Sequence, residues 1–233
     1  MIWRPSPFES SRGQLGLAAL FGVSLAAMNL LFYESLDRIP LGIAVTLEFV
    51  GPLAVAVWGS RRAIDLLWVG LAAAGILLLA GPGGSSPDPV GFALALAAGG
   101  CWGAYILISA RLGQAYEDGT GLAIAMVVAA AIMLGPGIAV GGGELLSWEL
   151  LGVGLAVAVL SSVIPYSLEL EALRRLPTRV FGVMMSLEPA VAATVGLIAL
   201  SQGLSPAEAA GIALVIAASA GALRRAETAP VEG

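Results

Sequence analysis

Apolar residues run along this chain in long blocks rather than in alternation. Short polar or Gly/Pro-rich breaks mark off eight of them, at 13–36, 41–59, 63–81, 90–110, 120–140, 150–173, 180–200 and 207–223. A hydrocarbon core about 30 Å thick takes roughly 20 apolar residues per spanning helix, so each block has the length of one crossing. The blocks are rich in Leu, Ala, Val and Gly and contain none of the short alternating strands that a barrel needs. The pattern predicts an all-α membrane protein with eight transmembrane helices.

Composition strengthens that reading. Hydrophobic residues make up 58% of the 233, charged residues 12%, and mean hydropathy is +0.94. A water-soluble domain of this size has no means of hiding so much apolar surface. The first block is preceded by Arg4 and Arg12 and lacks a small-residue cleavage pattern, so it is expected to remain as a helix rather than be removed as a signal peptide. One cysteine, Cys101, and no histidine argue against an intramolecular disulfide and against a zinc or haem site, and no metal or other cofactor is expected.

The placement of charge says more than its sum of −5. Counting loops alternately from a cytoplasmic N-terminus puts Arg4, Arg12, Arg61, Arg62, Arg111, Arg174, Arg175, Arg179, Arg224 and Arg225 on one side. The other side holds Arg38 with Asp37, Asp88, Glu144, Glu149 and Glu208. The positive-inside bias then orients the chain with both termini in the cytoplasm.

A short text recurs. Glu34, Leu36, Arg38, Pro40, Pro52 and Gly59 match Glu171, Leu173, Arg175, Pro177, Pro189 and Gly196 at a constant offset of 171 − 34 = 137 residues. In the eight-span topology the two copies lie on opposite sides of the membrane, so spans one to three correspond to spans six to eight with inverted orientation. Inverted repeats of this kind are characteristic of secondary transporters. The expected organisation is a partial first repeat of three helices over 1–82, a Gly/Ser/Pro linker over 83–89, a second repeat of five helices over 90–225, and a disordered tail over 226–233.

Several blocks carry a family likeness. The stretch Pro40 to Ala56, Ser60-Arg61-Arg62, Cys101 to Leu107, Pro165 to Glu169, Leu176 to Arg179 and Met185 to Ala190 together resemble the threonine and homoserine exporter branch of the drug/metabolite (EamA-type) transporter superfamily. The resemblance covers nearly the whole chain. It implies ten helices in two inverted five-helix halves, a central substrate cavity, and export of small amino acids or related metabolites across a bacterial inner membrane. In that arrangement the chain starts in the loop before the third helix, and the family's usual Gly-Glu after its ninth helix is here Ser201-Gln202.

Two acids stand out. Glu48 is roughly eight residues into its span and Glu188 roughly nine into its own, where an acidic group costs on the order of 2.5–3.5 kcal/mol unless it faces a polar cavity or a partner. They are candidates for contact with a substrate amine or for proton coupling; the alternative is a protonated glutamate bonded to a neighbouring helix. Pro52 and Pro189 each remove a backbone hydrogen bond close to these acids and predict broken helices at matching places in both copies. An ordinary packing kink is the alternative.

Other candidate lining groups come from helical spacing. Asn29 and Tyr33 share a face of the first span, Ser162, Tyr166 and Glu169 share a face of the sixth around Pro165, and Trp102, Tyr105 and Ser109 share a face of the fourth. An aromatic wall suits an ammonium group, with interhelical hydrogen bonding or core packing as the plain alternative. Glu34 and Glu171 are expected to pair with Arg38 and Arg175 at i, i+4. Gly70 with Ala74, Gly99 with Gly103, Gly152 with Ala156, and Gly211 with Val215 and Ala218 predict close helix contacts, with the third and last spans offering a homodimer surface.

The leading function is a secondary carrier that exports threonine- or homoserine-like metabolites by alternating access, driven by a gradient and coupled to protons through the two glutamates. A second reading is an N-terminally truncated, non-transporting fragment or partner subunit; some 60 in-frame apolar codons upstream of Met1 would restore the carrier. An intramembrane enzyme is the weakest reading, since the chain has no histidine and no nucleophile motif. The expected partners are the lipid bilayer, a small-molecule substrate and a second copy of the chain, with no nucleic acid.

Overall fold

A computed structural model describes residues 11–58, 63–80, 88–116, 120–143, 147–164, 168 and 185–226. Nine α-helices are described: α1 (Arg12–Leu36), α2 (Leu41–Glu48), α3 (Val50–Trp58), α4 (Ala63–Ala80), α5 (Pro89–Ala115), α6 (Thr120–Gly141), α7 (Trp148–Ala158), α8 (Glu188–Ala199) and α9 (Pro206–Ala226). A π-helical turn, Val159–Val163, continues α7. Three helices, α1, α5 and α6, are long and apolar enough to cross a bilayer, and the others include shorter apolar segments. Among the described residues there is no strand.

The apolar blocks locate the helices closely, and the departures have local causes. α5 continues to Ala115, five residues beyond its block, because Arg111 ends the apolar run without ending the helix. The second block is not one helix. It turns at Phe49 between α2 and α3, where Pro52 has no N–H to offer the carbonyl of Glu48. The seventh block also breaks, at Ser186 and Leu187, and Pro189 occupies the first turn of α8 rather than a helix interior. A first-turn proline sacrifices no intrahelical bond. The two turns are 186 − 49 = 137 residues apart, the offset of the repeated text.

Helix starts are capped from the sequence. Ser11 and Gln14 form a reciprocal capping box on α1, and Ser205 and Glu208 do the same on α9, with Glu208 buried. Asp88 caps α5, its Oδ1 accepting from the N–H of Val90 at 2.8 Å and of Gly91 at 3.4 Å. Ser147 caps α7 by accepting from the N–H of Leu150 at 3.3 Å.

Small residues decide how the helices meet. A Cβ on Gly51 would collide with the carbonyl of Gly99, and one on Gly99 would lie 2.6 Å from the carbonyl oxygen of Glu48, so α5 crosses the α2–α3 break backbone to backbone. Gly42 meets Ala193 of α8 with no room for a side chain, and Gly75 of α4 and Gly211 of α9 face each other, with Val215 and Ala218 buried alongside. Apolar side chains are as soluble in lipid as in protein, so such close approach, not hydrophobic burial, drives association. The expected contacts at Gly99, Gly103 and Gly211 are present; at Gly70 and Gly152 a Cβ would meet open space. α7 has no buried residue among those described, as befits an apolar helix in lipid.

α1 lies against α5 and α6, closing a core of Phe21, Leu25, Ile108, Leu112 and Ala125. Three polar contacts tie α1 to α5. Gln14 donates to the carbonyl of Ala115 at 2.6 Å, Ser24 to that of Cys101 at 3.0 Å, and Arg38 pairs with Asp88 at 3.2 Å. The last replaces the expected Glu34–Arg38 pair: α1 ends at Leu36 with Asp37 as its cap, so Arg38 is past the helix and off the i, i+4 face. The matching Glu171 and Arg175, most of the linker and the tail after Ala226 lie outside the described residues.

Gly51→Ala should lower the thermal midpoint of the detergent-solubilised protein, with a loss of about 1–3 kcal/mol for overpacking against backbone. Gly152→Ala should leave it unchanged or raise it by about 0.4–1 kcal/mol. The Asp88 carboxyl is held below its ordinary value of 3.8 chiefly by the Val90 N–H, with Arg38 and Gly91 assisting. The folded chain thus releases this proton more readily than the unfolded one, so the stabilisation is whole above the ordinary value and disappears as pH falls through the lowered folded value. Asp88→Asn, which retains a capping oxygen, should flatten the acid limb of the thermal midpoint below about pH 4. Asp88→Ala should lower the midpoint at neutral pH as well.

Candidate functional site

The two helix breaks meet at one cleft. It is lined by Leu41, Val45 and Glu48 of α2, Trp102 of α5, and Leu187, Glu188, Val191, Ala192 and Val195 at and along α8, and has a volume of about 400 Å³. Small-molecule sites span about 300–1,000 Å³. Glu48 closes α2 just before its turn and Glu188 opens α8 just after its own, so both carboxyl groups face the same space from the ends of short helices. They lie within electrostatic range of each other.

Each wall has a local reason. Residues 41, 45 and 48 are spaced by four and three and therefore fall on one face of α2. Residues 188, 191, 192 and 195 do the same on α8. Gly42 and Ala193 clamp the two helices together beside the cleft. The Gly51–Gly99 crossing presses α5 onto the break, which sets the ring of Trp102 edge-on to Phe49 at 5.3 Å between centroids and 87° between planes. Trp102 thereby forms the third wall.

Of the residues singled out from the sequence, the structure brings Glu48, Glu188 and Trp102 together. The others lie elsewhere. Asn29 donates to the carbonyl of Leu25 at 2.9 Å, and Tyr33 is 54% exposed beside Phe32 on α1. Tyr105 stacks on Phe21 at 4.9 Å in the α1–α5–α6 core, and Ser109 donates to the carbonyl of Ile106. These groups make ring contacts or hydrogen bonds back to their own helix and do not line the Glu48–Glu188 cleft. Pro52 sits in the first turn of α3 beyond the break. Pro165, Tyr166 and Glu169 lie outside the described residues.

Sequence reasoning missed the apolar walls Leu41, Val45, Leu187, Val191, Ala192 and Val195. Except for Leu187, which adjoins Glu188, the signal they carry is their spacing of one or two helical turns from the two glutamates. Among the described lining residues the charged groups are two acids with no base, together with an indole face. That set suits an ammonium group or a proton, with aliphatic room beside it. Among the described residues no three His, Cys, Asp or Glu side chains cluster to hold a metal ion.

Residues 89–224 match the EamA-like transporter family, more than half of the chain. The chain belongs to the EamA-like transporter family. Over 203 residues it is 50% identical to the threonine/homoserine exporter RhtA of Escherichia coli and 49% identical to that of Salmonella typhimurium. Each alignment covers 86% of this chain and 68% of the exporter. No solved structure matches the chain. Family members of this kind are membrane transporters and not enzymes, which agrees with the helical, lipid-suited architecture. Trp102→Ala should remove the third wall of the cleft without unfolding the chain. The measurable result is loss of the acrylamide-quenchable tryptophan fluorescence that Trp102 contributes from the cleft, with the far-UV helical spectrum unchanged.

Proposed function

We propose that this protein exports small amino acids of the threonine and homoserine type across the bacterial inner membrane by alternating access. The observation that carries the reading is the pair Glu48 and Glu188 on one cleft between two helix breaks, in a chain half identical to exporters of those amino acids. The substrate ammonium sits between the two carboxylates and over the Trp102 face, where a desolvated cation–π contact contributes about 2 kcal/mol. Val45, Val191 and Val195 receive the short side chain. Two carboxyl groups sharing one cleft favour a shared proton over two charges, and displacement of that proton by the ammonium couples export to the proton gradient.

The moving parts are the two repeats, three helices and five, inverted relative to each other. Antiparallel contact of α2 with α8 supports this: the N–H of Leu41 at the start of α2 meets the side chain of Gln202 just past the end of α8. Equal spacing of the two breaks supports it too. The arginine distribution favours both termini in the cytoplasm, which sets the Arg38–Asp88 end of the bundle outside.

Proteoliposomes loaded with labelled threonine or homoserine should show efflux that a proton gradient accelerates. Glu48→Gln and Glu188→Gln should each reduce efflux about ten-fold or more, equivalent to a lost interaction of about 1.4 kcal/mol, with insertion intact. Undiminished, equally pH-dependent efflux in both variants removes the glutamates from the mechanism. No efflux from a correctly inserted parent chain removes the carrier. Single cysteines at positions 38 and 175 in a Cys101→Ala background should label from opposite compartments; labelling from the same side refutes the inversion.

A further inference from the structure

The start of α2 is capped by a residue 161 positions away. Pro40, its N-cap, provides no side-chain hydrogen bond, and the N–H of Leu41 instead donates to Oε1 of Gln202 at 2.9 Å. Three features at the end of α8 aim that side chain. Ser201 takes a left-handed backbone, φ 54°, which turns the chain back on itself. The N–H groups of Leu200 and Gln202 both donate to the carbonyl of Gly196, at 3.2 and 2.9 Å. Gly196 has no side chain, and a Cβ there would come 2.8 Å from Gln202 Oε1. A locally unfavourable turn and a glycine thus deliver one amide oxygen to the exposed end of another helix.

The two helices so joined are the walls of the cleft, Leu41 and Val45 on one and Val191 and Val195 on the other. We infer that Gln202 is a positioning residue that latches α2 to α8 at the Leu41 end, holding their seam shut there and setting how often the two repeats part. The inference rests on the alternating-access reading above. Oε1 accepts a half-buried bond that joins the two helices directly, so loss of the latch raises the open fraction of the seam.

The seam can be read directly. Ile43 is 1% exposed and packs with Ala193, Leu79 and Ile212 where α2 meets α8 and α9. In the full chain carrying Cys101→Ala and Ile43→Cys, reaction with a soluble maleimide requires the seam to open. Gln202→Ala should accelerate labelling about five-fold, the effect of one lost hydrogen bond on an opening equilibrium. Gly196→Ala, which displaces the side chain tip without removing it, should act in the same direction. Gln202→Glu, which retains the acceptor and adds negative charge at a helix N-terminus, should label as slowly as the parent.

Equal rates in all four proteins overturn the latch. So does a Gln202→Glu variant that labels as fast as Gln202→Ala, or faster hydrogen exchange at the Leu41 amide without faster labelling, which reduces Gln202 to a helix cap. Should Gln202→Ala fail to fold, the comparison of Gly196→Ala with Gln202→Glu decides by itself. Because labelling needs no transported substrate, absence of efflux sinks the carrier reading while the labelling rates still decide whether the seam is latched.

Discussion

A helix interrupted inside a lipid bilayer exposes backbone groups that hydrocarbon cannot hydrogen-bond, at several kcal/mol each. This chain interrupts two, at Phe49 and at Ser186–Leu187, and its helix packing provides protein cover for the first of them. The Gly51–Gly99 crossing brings backbone against backbone over the carbonyl of Glu48, and any side chain at either position would lift α5 away. Irregular backbone at membrane depth survives only where protein or a cavity encloses it. Here the α5 crossing covers the first break, and both breaks border the cleft.

From that enclosure the cleft follows. Short helices place their terminal residues, rather than mid-helix ones, at the centre of the bundle, which is why Glu48 ends α2 and Glu188 begins α8. An acid at a helix terminus has freedom to turn into a space that a mid-helix acid would have to reach by kinking its backbone. The indole of Trp102, steadied by Phe49, closes the third side. Two threonine hydroxyls on these helices bond within their own helix instead: Thr46 donates to the carbonyl of Gly42, and Thr194 to that of Ala190.

Much of this was legible in the residues. Outside the two broken blocks, apolar block length located the described helix ends to within about five positions, and the two intramembrane glutamates marked the cleft, because transfer free energy alone makes both conspicuous. Proline announced the breaks but not their geometry. Pro189 reads as a helix interior from a continuous apolar run, whereas the chain turns before it and uses it in a first turn. Asn29, Tyr33 and Tyr105 do not line this cleft for a different reason. Helical spacing tells which residues share a face, not which neighbour that face meets, and the first two are exposed on α1 while Tyr105 meets Phe21. Arg38 misled because i, i+4 pairing presumes a helix that in fact stops two residues earlier. The partnership of Gln202 with Leu41 had no local signal at all, since 161 residues separate them.

The three polar ties between α1 and α5 are spread over both helices, one near each end and one in the middle. Rods joined at three points resist sliding and splaying, so the first repeat is fastened to the second along α1 and α5. In the carrier proposed above, that fastening is the pivot side, and the α2–α8 seam opposite it is the side that parts. Because α5 also crosses the α2–α3 break, the pivot helix is the one that braces the cleft.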